Sequence, residues 1–368
     1  MEQQIFGSCG RYIQGYGVLK DLGRHVAYMG KAFLVIGSPR RLASLRADVE
    51  ASFAPDCRLE FAEFGGESSA AEVEKMVRHG RAMQACAVIG LGGGKVHDTA
   101  KAAAEALHVP VVIVPTIAAS DAATSSTALI YNDAGTEVVD CVYLNASPAV
   151  VLVDTKIIVN APTRFLVAGM GDALSTYLGA RVAAAGYKEN YFGGLYTQTS
   201  LAIAKLSYDL LMRYGRQAKI ASEQKAVTDA FNTIVEVNTL MSGMGFENNG
   251  SATDHAFFFG AMALPRYTEH ALHGEGVAFS CCCQLVLEGS SSEQLDEVYR
   301  FCTDVGLPVT FEQIGLRDVT DEEMGLMADS MMQRPINHPF AVTREKLAAA
   351  YKTADAIGRM YLAGGRLI

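Results

Sequence analysis

Apolar and polar positions along this chain change rhythm near residue 160, and the two rhythms predict two kinds of structure. On the first side, short apolar runs alternate with helical patterns. KAFLVIG (31–37) ends in glycine and reads as a buried strand, followed by the helical stretch LASLRADVEASF (42–53). ACAVIGLGGG (85–94) is a second strand running into glycines, and VHDTAKAAAEAL (96–107) is a helix. VPVVIVPT (109–116) and VVLVDT (150–155) read as further strands. Strands alternating with helices predict a parallel, doubly wound sheet, with ligands beyond the carboxyl ends of its strands.

Past Asn160 the strand-like runs vanish. Helical patterns cover 164–185, 194–215, 222–243, 274–289 and 343–365, rich in Ala and Leu, with glycines at several ends. Asn160-Ala161-Pro162 marks the junction, because proline suits the first turn of a helix. The reading is an α/β domain over 1–160 and an all-helical domain over 161–368, with the active site in the cleft between them.

Composition narrows the function classes. The chain has 368 residues, of which 50% are hydrophobic and 19% charged, which excludes disorder. A net charge of −9 disfavours nucleic acid and anionic membranes as main partners. No apolar stretch reaches ~18 residues without a charge or turn signal, and the first residues carry no basic-then-apolar leader. The cysteines show no Cys-x-x-Cys pair, and Cys281, Cys282 and Cys283 sit in an apolar run as small hydrophobes. A reduced, cytoplasmic setting is expected.

Gly90-Leu91-Gly92-Gly93-Gly94-Lys95 lies between a strand and a helix. Consecutive glycines let a backbone approach a ligand closely, and the helix start favours an anion such as a pyrophosphate. Glycines in a turn also serve structure alone, and the spacing is neither G-x-G-x-x-G nor a Walker motif.

The stretches IGLGGGKVHDTAKA, VPTIAASDAATSSTALIY, GMGDALSTYLGAR, LMSGMGFENNGSATDHAF and HGEGVAFS, in that order, resemble the glycerol dehydrogenases. These are metal-dependent members of the iron-containing alcohol dehydrogenase superfamily, whose fold is shared with dehydroquinate synthase. The resemblance runs from about residue 30 to the C-terminus, and RPINHPFAVT (334–343) also fits. It implies a nucleotide-binding α/β domain followed by a helical domain that binds metal and substrate.

The resemblance assigns metal-ligand roles to Asp172, His255 and His273. One carboxylate and two imidazoles suit Zn²⁺ with positions left open. Taken singly, each has a plainer reading: a helix cap for Asp172, a core histidine for His255, a solvated turn residue for His273. His270 lies one helical turn before His273, and the family motif selects His273. Thr176 stands where four-ligand relatives carry a further histidine, which supports the three-ligand type.

By resemblance, Asp121 contacts the polyol hydroxyls and Phe246 flanks the substrate pocket. A carboxylate accepts hydrogen bonds from two hydroxyls and so favours a polyol over a carboxylate substrate. The resemblance carries Gly93, Gly94 and Lys95 onto the cofactor pyrophosphate, Thr116 and Ala119 onto the adenine and ribose side, and Ser125, Thr127 and Tyr131 toward the nicotinamide.

Two departures from the family stand out. Its aspartate after the first strand is replaced by Gly37-Ser38-Pro39-Arg40-Arg41, which removes repulsion of a 2′-phosphate and opens NADP as well as NAD. Pro39 can equally turn both arginines to solvent. The family's histidine three residues after His255 is Phe258 here. The expected activity is hydride transfer between glycerol or a related vicinal diol and a nicotinamide cofactor, with zinc as the metal. The alternative is an NADP(H)-dependent reductase of 2-oxo acids or other small carbonyls. A homo-oligomer, octameric by family resemblance, is expected.

Overall fold

The computed structural model describes residues 3–267, 271–333 and 336–368. Its strands are β1 (Tyr12–Gly15), β2 (Ala32–Gly37), β3 (Arg58–Glu63), β4 (Ala87–Gly92), β5 (Val111–Pro115), β6 (Thr127–Tyr131), β7 (Val138–Tyr143) and β8 (Val150–Asp154). Among the described residues all strands precede Thr155. Around them lie α1 (Leu22–Val26), α2 (Pro39–Ser52), α3 (Ala70–Met83), α4 (Gly94–Leu107) and α5 (Thr155–Val159). The helical region follows with α6 (Thr163–Ala185), α7 (Gln198–Glu223), α8 (Asp229–Glu236), α9 (Ser242–Asn249) and α10 (Ala256–Met262). It ends with α11 (His273–Glu288), α12 (Ser292–Val305), α13 (Asp321–Met332) and α14 (Arg344–Leu362). No helix among the described residues is long and apolar enough to cross a membrane.

Six strands form one parallel sheet in the order β1-β8-β5-β4-β2-β3. Alternation along each strand fills both faces. Phe33, Val35, Ala87, Ile89, Leu91, Val112, Val114 and Leu152 pack on one side with Leu22, Leu42 and Val49. Leu34, Ile36, Val88, Ile113 and Val151 pack on the other with Met76, Ala100 and Ala103, and this core runs on unbroken into the helical region. Burial on both faces explains why these strands read as continuous apolar runs. The chain leaves β2 towards β3 on one side and leaves β4 towards β5 on the other. The carboxyl ends of β2 and β4 therefore flank the point where the winding reverses, the usual ligand crevice of such sheets.

Several elements depart from the sequence pattern. β1 and β3 are the sheet edges, and β3 reads RLEFAE, whose charges mask a strand that is half solvated. β6 and β7 form a separate antiparallel hairpin, and β7 is largely exposed. The helical pattern from 194 starts at Gln198, capped by Thr197 and Ser200, and continues to Glu223. The pattern over 222–243 breaks: Lys225 takes a left-handed φ of 54°, and Thr228 caps a new start at α8. Val237–Met241 is then a π-helical turn. There Asn238 donates to the carbonyls of Ala118 and Leu166, joining the loop after β5 to α6.

Candidate functional site

Asp172, His255 and His273 come together, each from a different part of the helical region. Asp172 lies in the third turn of α6 and is 2% exposed, so it caps nothing. His255 immediately precedes α10, and His273 opens the first turn of α11. Nε2 of His255 lies 3.8 Å from Asp172 Oδ1, and Nε2 of His273 lies 3.5 Å from the same atom. One donor atom from each residue falls within 4.8 Å of the others.

Two glycines permit this. A Cβ on Gly171 would lie 2.1 Å from the Gly274 carbonyl oxygen, and one on Gly274 would lie 1.8 Å from that of Ala168. Any larger residue would push α6 and α11 apart and separate Asp172 from His273. His255 is oriented by its neighbour, for Nδ1 lies 2.6 Å from Asp254 Oδ2 and donates its proton there, leaving Nε2 facing Asp172.

The surroundings are negative. Burial pushes the His255 imidazolium down, but Asp172 and Asp254 outweigh it and raise the group to about 10. Burial pushes Asp172 up, yet the two histidines hold its carboxyl below the ordinary range. Asp121 rises to about 8, first through burial and then through the charge of Asp172. Such a demand for positive charge, around two imidazoles and a carboxylate, fits a divalent cation.

Asp121 borders the cluster. Its backbone N–H donates to Asp172 Oδ2 at 3.2 Å, and its own carboxylate accepts from the Ser242 hydroxyl at 3.1 Å. Thr176 reaches Ser242 at 2.9 Å. Phe246 stands 6.0 Å, ring to ring, from His255 and 4.3 Å from Tyr191, so it walls the cluster. Phe258 is buried and meets His273 edge-on at 6.3 Å. His270 lies outside the described residues, as do Arg334 and Pro335 of the RPINHPFAVT stretch.

A second feature lies at the winding reversal. Ser38, Gly93, Gly94, Lys95 and Thr116 line one cavity of about 850 Å³. Leu272, which precedes His273, lines it too, so the crevice abuts the cluster. A Cβ built on Gly94 would meet nothing closer than Ala122 Cβ at 3.8 Å, so packing does not need a glycine there, and the space is left to a ligand. Lys95 is paired with Glu67 at 2.5 Å and stands 5.1 Å from the Tyr131 ring centre.

Ala119, Ser125, Thr127 and Tyr131 do not line this cavity. Ser125 is buried, and its hydroxyl accepts from Lys101 Nζ at 2.8 Å, while the Thr127 carbonyl accepts from the same nitrogen at 2.9 Å. Ser125 thus has an internal partner in Lys101. Gly93 occupies the cap position of α4, Asp98 lies 4.0 Å from Lys101, and Thr99 bonds back to the Lys95 carbonyl.

Sequence reasoning missed Lys101, Glu247 and Asp254. Lys101 is 0% exposed, and burial lowers its pKa. Glu247 accepts from both the N–H and the hydroxyl of Ser126, at 2.6 and 2.8 Å. Residues 125–127 are thereby held from α4 on one side and α9 on the other. An Asp three positions before a Lys in an alanine-rich helix was the available signal for the first, and an acid next to a ligand histidine for the last.

The family described as iron-containing alcohol dehydrogenase matches residues 9–155. The chain is 39% identical to a glycerol dehydrogenase of Escherichia coli O6:H1, over 98% of each chain. It is 42% identical to a glycerol dehydrogenase of Thermotoga maritima, over 95% of this chain and 96% of the relative. Among solved structures, a glycerol dehydrogenase from Schizosaccharomyces pombe superimposes with a TM-score of 0.93 at 31% identity, covering 100% of this chain and 96% of that one.

Proposed function

The chain belongs to the iron-containing alcohol dehydrogenase family, with the glycerol dehydrogenases among its relatives, and on that premise we propose that it moves a hydride between a small vicinal diol, glycerol foremost, and a nicotinamide dinucleotide. The observation that carries this reading is the convergence of Asp172, His255 and His273 beside a glycine-lined crevice.

In this reading residues 1–160 hold the dinucleotide, and 161–368 supply the metal ligands and most of the substrate pocket. Asp172, His255 and His273 would hold a divalent cation, zinc by donor chemistry, which when bound supplies Lewis-acid stabilisation of charge developing on the substrate oxygen. The dinucleotide supplies the hydride acceptor. Asp254 keeps the proton of His255 on Nδ1 and its lone pair on Nε2. Asp121, steadied by Ser242, accepts hydrogen bonds from the diol hydroxyls and fixes which carbon faces the crevice. Phe246 and Tyr191 keep water from that side. Gly93 and Gly94 offer backbone N–H groups to the pyrophosphate.

A ring of acids at Asp121, Asp172 and Asp254 is a poor host for a carboxylate substrate, which sets the diol ahead of a 2-oxo acid. The working form is a homo-oligomer in the cytoplasm. Diol and hydroxy-acid oxidation with NAD and NADP, before and after chelation and after return of zinc or iron, tests the proposal. Glycerol turnover that chelation abolishes and zinc restores is expected. Hydroxy-acid turnover alone, or turnover indifferent to chelation, contradicts it.

A further inference from the structure

The end of the crevice beyond β2 is charged against the trend of the molecule. The chain carries a net −9, yet Arg40, Arg41 and Lys95 line the cavity with no aspartate or glutamate among the described lining residues. Lys95 is neutralised by Glu67. Neither Arg40 nor Arg41 has a carboxylate partner among the described residues, and burial together with the charge of Arg40 lowers the pKa of Arg41. Asp154 faces a neighbouring cavity that Arg41 also lines, but the N–H groups of Gly17, Leu19 and Lys156 occupy it.

Local geometry keeps these groups together. Ser38 precedes α2 in an extended conformation, and Pro39 starts the helix. The Ser38 hydroxyl does not cap that helix. Both arginines line the crevice, Arg40 exposed and Arg41 half-buried.

The strand end beside the glycine loop is where a parallel dinucleotide-binding sheet meets the adenosine ribose. A carboxylate there accepts from both ribose hydroxyls and repels a 2′-phosphate, whereas arginine pairs with that phosphate. We propose that Ser38, Arg40 and Arg41 form a subsite for the 2′-phosphate of a nicotinamide dinucleotide phosphate. This rests on the dinucleotide reading above and adds which dinucleotide the crevice prefers.

Calorimetry on the full-length protein with three fragments tests it: adenosine 5′-monophosphate, adenosine 2′,5′-bisphosphate and adenosine 3′,5′-bisphosphate. The 2′,5′ compound should bind about tenfold or more tightly than the monophosphate, the scale of one charge-assisted contact. It should also bind more tightly than the 3′,5′ isomer, which has equal charge. The double variant Arg40→Ala/Arg41→Ala should lose that preference while keeping its affinity for the monophosphate, and Ser38→Asp should reverse it. Equal binding of the two bisphosphates by the wild type, or a preference that survives in the double variant, overturns the subsite and leaves the dinucleotide reading standing. Failure of all three fragments to bind overturns both.

Discussion

The crevice and the three-residue cluster touch at Leu272 and His273, yet they are built from different material. The crevice is mostly backbone: glycines, strand ends and the first turns of α2 and α4, arranged by a sheet whose two faces are closed by apolar packing. The cluster is side chains brought from three places, held by a glycine contact between α6 and α11 and by one hydrogen bond from His255 to Asp254. Histidines in the two regions behave oppositely. His255, among carboxylates, is raised to about 10, whereas His97, buried in α4 behind the glycine loop and near Lys101, is lowered to about 3. A backbone-built site should therefore tolerate side-chain changes that do not fill it, whereas a side-chain-built site should fail at single substitutions.

The sharpest way to break that contrast is Asp172→Ala. Loss of the carboxylate should remove the metal and lower kcat/KM about a thousandfold, equivalent to ~4 kcal/mol of transition-state stabilisation, while circular dichroism stays native. Near-normal turnover in a variant that elemental analysis finds metal-free would place catalysis elsewhere.

Asp254→Ala should act more mildly because it orients a ligand without being one. A fall of roughly 10–100-fold in metal affinity is expected, with the maximal rate at saturating metal largely retained. Competition with a chromogenic chelator measures it. Unchanged affinity would mean that His255 needs no orienting partner.

On the crevice side, Gly94→Ala tests whether the empty space belongs to a ligand. Dinucleotide binding should weaken by about 1–3 kcal/mol from overfilling, with no fall in the denaturation midpoint, since no protein atom would be struck by the new Cβ. Lower stability with unchanged nucleotide affinity would make the glycine a packing requirement instead.

The smallest effect concerns His97, whose Nε2 bonds to the Gly92 carbonyl at 3.0 Å. Burial, reinforced by the charge of Lys101, depresses its folded value from the ordinary 6.5 to about 3. The unfolded chain therefore takes up the proton first as pH falls. The stability contributed by neutral His97 is complete above about 6.5 and is lost progressively below it, ~2 kcal/mol by pH 5. Denaturant titrations at pH 7 and pH 5 should show this loss in the wild type and not in His97→Gln. An equal pH response in both would mean that water reaches the ring.

The same division explains what the sequence made legible. Buried parallel strands declared themselves as apolar runs, and the glycines after β4 fell in the expected place because the crevice is local in sequence. β3, at the sheet edge, and the exposed hairpin β6–β7 carry mixed patterns, since half their surface is solvated. Asp172, His255 and His273 were found through family motifs. No periodicity links residues a hundred positions apart, and what joins them is the Gly171–Gly274 approach. Lys101 and Glu247 went unread because a lysine among alanines and a glutamate after a phenylalanine look like surface residues until their partners at 125–127 are seen.

The most direct test of the account follows a labelled hydrogen across the boundary between the two regions. Metal-loaded protein is given glycerol deuterated at its central carbon together with oxidised dinucleotide, and the reduced dinucleotide is weighed by mass spectrometry. The account predicts one deuterium on the nicotinamide ring, dihydroxyacetone as the product, and neither from Asp172→Ala. Reduced dinucleotide without deuterium, or equal transfer by metal-free Asp172→Ala protein, would contradict it.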